Sequence, residues 1–211
     1  MLKYMQNKAE NLEKTADILQ KGGVLVMATD TVYGLVADAN NPQAIDKIYQ
    51  IKQRDYSKKL AIFAPSVEWI CNVCKVGENA LNILNHCLPG GFTFILKIKP
   101  GLHFPWLQGE DIGIRIPNSE FILQLLAKIN QPLVATSANL SGMQDSSIFS
   151  KISPDVKQVA DLCIFDKNTD ENMASSVIDL TDIENNWKYR VLRETKYINT
   201  FKECVDKITN Y

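Results

Sequence analysis

Five basic side chains fall close together in the sequence: Lys47, Lys52, Arg54, Lys58 and Lys59. A loop that gathers such groups can hold phosphate, arginine through forked hydrogen bonds and lysine as a mobile point charge. The competing reading is a solvated helix end favoured by the macrodipole. Four other polar groups stand at the ends of apolar runs: Thr29-Asp30-Thr31, Arg115, Thr136-Ser137-Ala138-Asn139 and Ser175-Ser176. Open α/β sheets place ligands at strand ends, so several of these loops could converge on one crevice. Arg115 lies between Ile114 and Ile116, whose side chains belong on the opposite face of a strand. It either enters a cleft or stands outward on a half-exposed sheet. Neither G-x-x-x-x-G-K-[ST] nor G-x-G-x-x-G occurs, so an ATP site here must be built from side chains.

The elements that must position these groups follow from periodicity and punctuation. Leu12, Ala16 and Leu19 mark a helix over 7–21, stopped by Gly22-Gly23 before an apolar strand at 24–27. Asn41-Pro42 reads as an N-cap with proline at the first helical position, opening a helix that carries Ile45, Ile48 and Tyr49. Strands are expected at 60–64, 92–98, 112–116, 133–135, 162–165, 175–180 and 189–192, with helical segments between the first two. Further helices are expected at 119–129 and 200–209, and 166–172 reads as a polar loop. Strands interleaved with helices give an α/β fold, and the clustered late strands imply antiparallel pairs in one mixed, twisted sheet.

The chain of 211 residues is 45% hydrophobic, enough for a substantial core, and reads as one domain over 1–211. Its 23 Lys plus Arg against 24 Asp plus Glu leave a net charge of -1, which argues against a protein that simply coats nucleic acid. With no apolar run of signal-peptide or membrane-spanning type, a cytoplasmic protein is expected. Five cysteines, an odd number in apolar or helical contexts, read as reduced thiols.

The segments ATDTVYGL (28–35), IYQIKQR (48–54), LPGGFTFIL (88–96), IGIRIP (112–117), PLVATSANLSG (132–142), SSVIDL (175–180) and VLRE (191–194) resemble the YrdC-type threonylcarbamoyl-AMP synthases over about 15–194. The resemblance implies a single YrdC-like domain, a twisted mixed sheet flanked by helices with a concave polar and basic cleft, in the short form of the family. It implies that Thr31, Arg115 and Ser175 bind L-threonine, with Arg115 on its carboxylate. Lys52, Arg54, Lys58, Ser137, Asn139 and Arg193 would surround ATP, and Lys52, Arg54, Ser137 and Asn139 would carry the catalytic roles. The implied reaction joins threonine and bicarbonate or CO2 into a carbamate that attacks the α-phosphate of ATP and expels pyrophosphate. Mg2+ would accompany the ATP, and a downstream threonylcarbamoyl transferase machinery would modify tRNA next to the anticodon, with tRNA itself a candidate contact. Three positions depart from the family pattern: Ala28, Asp55 and Lys59 stand where proline is common.

Other chemistries are weaker. Cys71-x-x-Cys74 with His86-Cys87 sketches a zinc site, but i and i+3 cysteines on a helix are commonly small core residues and no second C-x-x-C exists, so no structural metal is expected. Ser137 or Ser141 with His86 or His103 lacks a G-x-S-x-G elbow. The alternative from another class is a non-catalytic module that holds tRNA or double-stranded RNA, because clustered Lys and Arg suit RNA phosphates as well as ATP.

Overall fold

A computed structural model describes residues 4–166 and 173–209. Among the described residues ten strands form one sheet: β1 (Tyr4–Gln6), β2 (Leu25–Met27), β3 (Gly34–Asp38), β4 (Ala61–Phe63), β5 (Phe92–Lys97), β6 (Asp111–Arg115), β7 (Leu133–Ser137), β8 (Leu162–Phe165), β9 (Ser176–Asp179) and β10 (Arg190–Arg193). Their order is β1-β8-β2-β3-β7-β4-β6-β5-β9-β10. The β1/β8, β2/β8, β4/β6 and β5/β9 pairs are parallel and the rest antiparallel, which gives the mixed sheet expected.

Helices α1 (Leu12–Gln20), α2 (Pro42–Lys52), α3 (Val67–Val73), α4 (Glu78–Cys87), α5 (Glu120–Ile129), α6 (Pro154–Val159) and α7 (Ile198–Thr209) flank it. Asn41 caps α2 as expected, its side chain accepting from the Ala44 N–H at 3.0 Å. Ser153 and Pro154 open α6 with the same signature.

Side-chain alternation along the strands sorts the sheet into layers. Leu25 and Met27 face α1 and α5, whereas Val24 and Val26 face α2 and α6. On the other half of the sheet, Ile62, Phe92, Phe94, Ile112, Ile114 and Ile178 pack with α3, α4 and α7. The intervening residues Ala61, Phe63, Thr93, Ile95, Gly113, Arg115, Val177 and Asp179 face the opposite way, and helices leave that face open as the floor of a cavity.

Phe201 of α7 is fully buried and its ring meets Phe92, Phe94 and Tyr189. Phe201→Ala is expected to cost about 3–5 kcal/mol, measured as a shift of the urea unfolding midpoint. A loss below about 1 kcal/mol would mean that α7 contributes little to this layer.

Several expectations needed correction. The first helix is shorter than 7–21 because Tyr4–Gln6 pairs with β8 and a 3-10 turn at Ala9–Asn11 precedes α1. No strand is expected between Thr31 and Asn41 from the sequence, but β3 begins at Gly34 and pairs with both β2 and β7. Cys74 stands just past α3 in an extended conformation, not on the helix with Cys71. The expected polar loop at 166–172 lies, beyond Asp166, outside the described residues.

Candidate active site

The cavity over the open face has a volume of about 520 Å3. Its wall brings together the predicted residues Thr31, Arg54, Arg115, Ser137, Ser175 and Arg193, which come from six separate segments of the chain. The convergence inferred from strand ends is therefore physical.

At one end, Arg115 is 5% exposed, which removes the outward-facing alternative. Its Nε donates to the Gly90 carbonyl at 3.2 Å, its Nη1 to Thr31 Oγ1 at 2.6 Å and its Nη2 to Asp30 Oδ1 at 2.5 Å. A guanidinium has five N–H donors, so two remain for a ligand. The Thr31 hydroxyl has a fixed direction. Thr29 Oγ1 gives its hydrogen to the Val32 carbonyl, so in the 3.0 Å Thr29–Thr31 contact Thr31 is the donor and its lone pairs face Arg115. Ser175 is buried beside them, with Oγ 2.8 Å from Thr93 Oγ1 and accepting from Arg193 Nη2 at 3.1 Å.

The other end is cationic. Gln53 takes a left-handed conformation (φ 49°) that ends α2 and turns the chain between Lys52 and Arg54. Arg54 lines the cavity and spends Nε and one Nη2 hydrogen on the carbonyls of Lys58 and Lys59, at 3.1 and 3.0 Å. Burial lowers its pKa, opposed by the Tyr49 phenol. Arg193 stands between the two ends: its Nε donates to the Ser175 carbonyl at 2.8 Å, and desolvation lowers its pKa, with Asp145 opposing and Arg115 adding.

Lys52 behaves differently from the sequence expectation. It is 1% exposed and is absent from the cavity wall. Its ammonium donates to the Ser137 carbonyl (2.5 Å), the Asn139 carbonyl (2.7 Å) and Asn139 Oδ1 (3.0 Å), which uses all its hydrogens. Asn139 Oδ1 also accepts from Ser137 Oγ at 2.5 Å, and its amide donates to the Met143 carbonyl. Lys52 and Asn139 thus shape the loop that presents Ser137. Burial pushes the Lys52 ammonium down to about 8, with Arg54 adding to the effect and Asp145 opposing it.

Two members of the basic cluster lie elsewhere. Lys58 is exposed and off the wall, where Lys59 stands in its place and donates to the Asp111 carbonyl at 3.0 Å. Lys47 pairs with Asp161 at 2.7 Å. Sequence reasoning missed Thr93, Asp145 and Asp179 on the wall. Thr93 and Asp179 carried the same signal as Arg115, a polar residue alternating with apolar ones in a strand; Asp145 carried none. Burial pushes the Asp179 carboxyl up, but the Thr181 hydroxyl and N–H and the Arg190 guanidinium outweigh it and hold the group below its ordinary range.

A family model described as telomere recombination, Sua5/YciO/YrdC, matches residues 17–195. The chain belongs to this family. A Methanocaldococcus jannaschii relative, whose name provisionally assigns it threonylcarbamoyl-AMP synthase activity, is 33% identical over 187 residues, 86% of this chain and 88% of the relative. E. coli YciO superposes with a TM-score of 0.78 at 26% identity, over 90% of this chain and 92% of its own. A doubly substituted P. abyssi Sua5 gives 0.76 at 26% identity over 90% of this chain, which spans only 59% of that protein. P. abyssi Sua5 complexed with L-threonine gives 0.70 at 24% identity, over 92% of this chain and 57% of its own. The family stretch contains every wall residue named above.

Among the described residues, no group of three or more His, Cys, Asp or Glu side chains is placed to hold a metal ion. Cys74 is buried, and that burial pushes its thiol up to about 12. No helix of the described residues is long and apolar enough to cross a membrane.

Proposed function

We propose that this chain is an L-threonylcarbamoyladenylate synthase, making threonylcarbamoyl-AMP and pyrophosphate from L-threonine, bicarbonate or CO2, and ATP. One observation carries the reading: a single cavity pairs a buried arginine and hydroxyls at one end with separate cations at the other. That arrangement suits an amino acid and a nucleotide held side by side. A P. abyssi Sua5 complexed with L-threonine and the M. jannaschii relative support it.

In this reading the two free N–H groups of Arg115 take the threonine carboxylate, while Thr31 and Ser175 orient the rest of the amino acid. The amine loses a proton and adds to CO2, forming a C–N bond and a carbamate. A carbamate oxygen then forms a bond to the α-phosphorus as the bond to the β-phosphate oxygen breaks, and pyrophosphate leaves with that electron pair. Such a displacement depends on positioning and on neutralising phosphate charge, which Arg54, Arg193 and Lys59 supply. Ser137 gives its O–H to Asn139 Oδ1 and so would offer the nucleotide its hydroxyl lone pairs, with Lys52 and Asn139 setting its position. Lys58 is left with at most a peripheral role. Mg2+ would arrive on the ATP phosphates and supply further charge compensation, and Asp145, whose charge acts on Lys52 and Arg193, is a fitting carboxylate for it. The product would pass to a transferase that modifies tRNA beside the anticodon, in a cytoplasmic protein working as one domain over 1–211.

Pyrophosphate release is expected to require threonine and bicarbonate together, read with a coupled phosphate assay in Mg2+ and ATP. Equal release with either omitted would sink the reaction. RNA binding with no threonine-dependent ATP consumption would favour the non-catalytic module instead.

A further inference from the structure

Beyond β10 the chain crosses the amino-acid end of the cavity before it enters α7, and alternate side chains along it secure strand ends. Arg193 holds Ser175 as described, and Thr195 holds Ser176, with Oγ1 2.8 Å and N 3.3 Å from Ser176 Oγ. Tyr197 is the next in this alternation. Its ring lies so close to Gly91 that a Cβ there would sit 2.6 Å from ring carbons. Phe92 meets the same ring edge-on at 6.1 Å, and the Tyr197 hydroxyl donates to the Asp30 backbone carbonyl at 3.4 Å.

Those contacts fall on the two segments that fix Arg115. The Gly90 carbonyl accepts from its Nε and the Asp30 carboxylate from its Nη2. Tyr197 touches both segments without lining the cavity. Burial raises the pKa of its phenol, with Asp30 adding and Arg115 opposing, as expected for a group beside that pair. It also lies two residues past the stretch 17–195 that the family model matches.

We propose that Tyr197 is a positioning residue for the amino-acid substrate: seated on Gly91 and bonded to the Asp30 carbonyl, it holds the two backbone segments that aim the Arg115 guanidinium into the cavity. The proposal rests on Arg115 being the carboxylate holder. The hydroxyl bond is long and therefore weak, so the flat ring on a side-chain-free glycine is the larger part of the device.

The test compares steady-state pyrophosphate release by wild type, Tyr197→Ala, Tyr197→Phe and Gly91→Ala. Tyr197→Ala should raise the threonine KM about tenfold with ATP KM and kcat within about twofold. Gly91→Ala, which pushes the ring off its seat from the other side, should do the same. Tyr197→Phe keeps the ring and should stay within about twofold of wild type. If Tyr197→Ala is insoluble, Tyr197→Leu carries the same expectation, because it keeps apolar contact but cannot lie flat on Gly91. An unchanged threonine KM in the folded variants, or a loss spread evenly over both KM values and kcat, overturns the proposal. Absence of threonine-dependent release in the wild type would instead remove the parent reading before any variant is compared.

Discussion

Lys52→Met should lower kcat/KM for pyrophosphate release by about 100-fold or more while the protein remains folded, a loss of the size seen when an electrostatic stabiliser is removed. Methionine fills the buried channel but leaves the Ser137 carbonyl, the Asn139 carbonyl and Asn139 Oδ1 without their shared donor. Because Lys52 and Asn139 act on the same loop, Asn139→Ala combined with Lys52→Met should lose little more than the worse single variant. Multiplicative losses would place Lys52 on the phosphates after all. Near-normal turnover in the folded variant would show that the loop presents Ser137 without the Lys52 ammonium.

The same lysine sets a pH dependence whose sign can be worked out. Its folded value of about 8 lies below its ordinary 10.5, so the folded protein releases this proton first. Above about pH 8 a neutral amine has two hydrogens for three oxygens, and activity should fall. Stability from this group moves the other way, present in full above the ordinary value and lost as pH falls through 8. A rate profile with a basic limb near 8, set against thermal unfolding over the same range, separates the two; a flat rate to pH 10 would refute the role.

Arg115→Lys is expected to raise the threonine KM by about 100-fold while changing the ATP KM by no more than a few fold. Lysine keeps the positive charge opposite Asp30, so the variant avoids the cost of about 3–5 kcal/mol that comes with stranding a buried charge. It cannot serve Gly90, Thr31 and Asp30 and still present two parallel donors to a carboxylate. L-Threoninamide, which lacks the carboxylate charge, should be a poor substrate of the wild type. Serine should be handicapped by only about 1–3 kcal/mol, the worth of one methyl contact. Similar kinetics for threonine and threoninamide, or a defect confined to ATP, would reassign this arginine.

Much of the frame was legible because burial leaves a period-two trace. Ile112, Ile114 and Ile116 around Arg115 announced both a strand and a polar residue on its other face, and Asn41-Pro42 announced α2. The three-residue strand β1 left too short a pattern to read, and β3 is buried on both faces, so alternation could not mark it. The site was legible as a set of segments but not as a set of roles. Spacing alone cannot show that Lys52 turns inward while Arg54 faces the cavity, since that depends on the left-handed turn at Gln53. Nor can it show that Lys59 replaces Lys58 on the wall, or that Asp145 reaches the cavity from an irregular loop.

The Asp30–Arg115 pair, 2.5 Å apart and nearly dry, also divides the cavity by its response to ionic strength. The amino-acid end presents a cation already matched by an anion and casts little field into solvent. In the proposed reading the nucleotide end keeps Arg54 and Lys59, with Arg193 adjoining, against Asp145 and Asp111, and its reach beyond the mouth shrinks with a Debye length of about 8 Å at physiological salt. Salt therefore slows the capture of a polyanionic ligand by this protein far more than that of a zwitterion. If the proposed function holds, a change of ionic strength should shift the requirement for nucleotide while the requirement for the amino acid stays nearly steady.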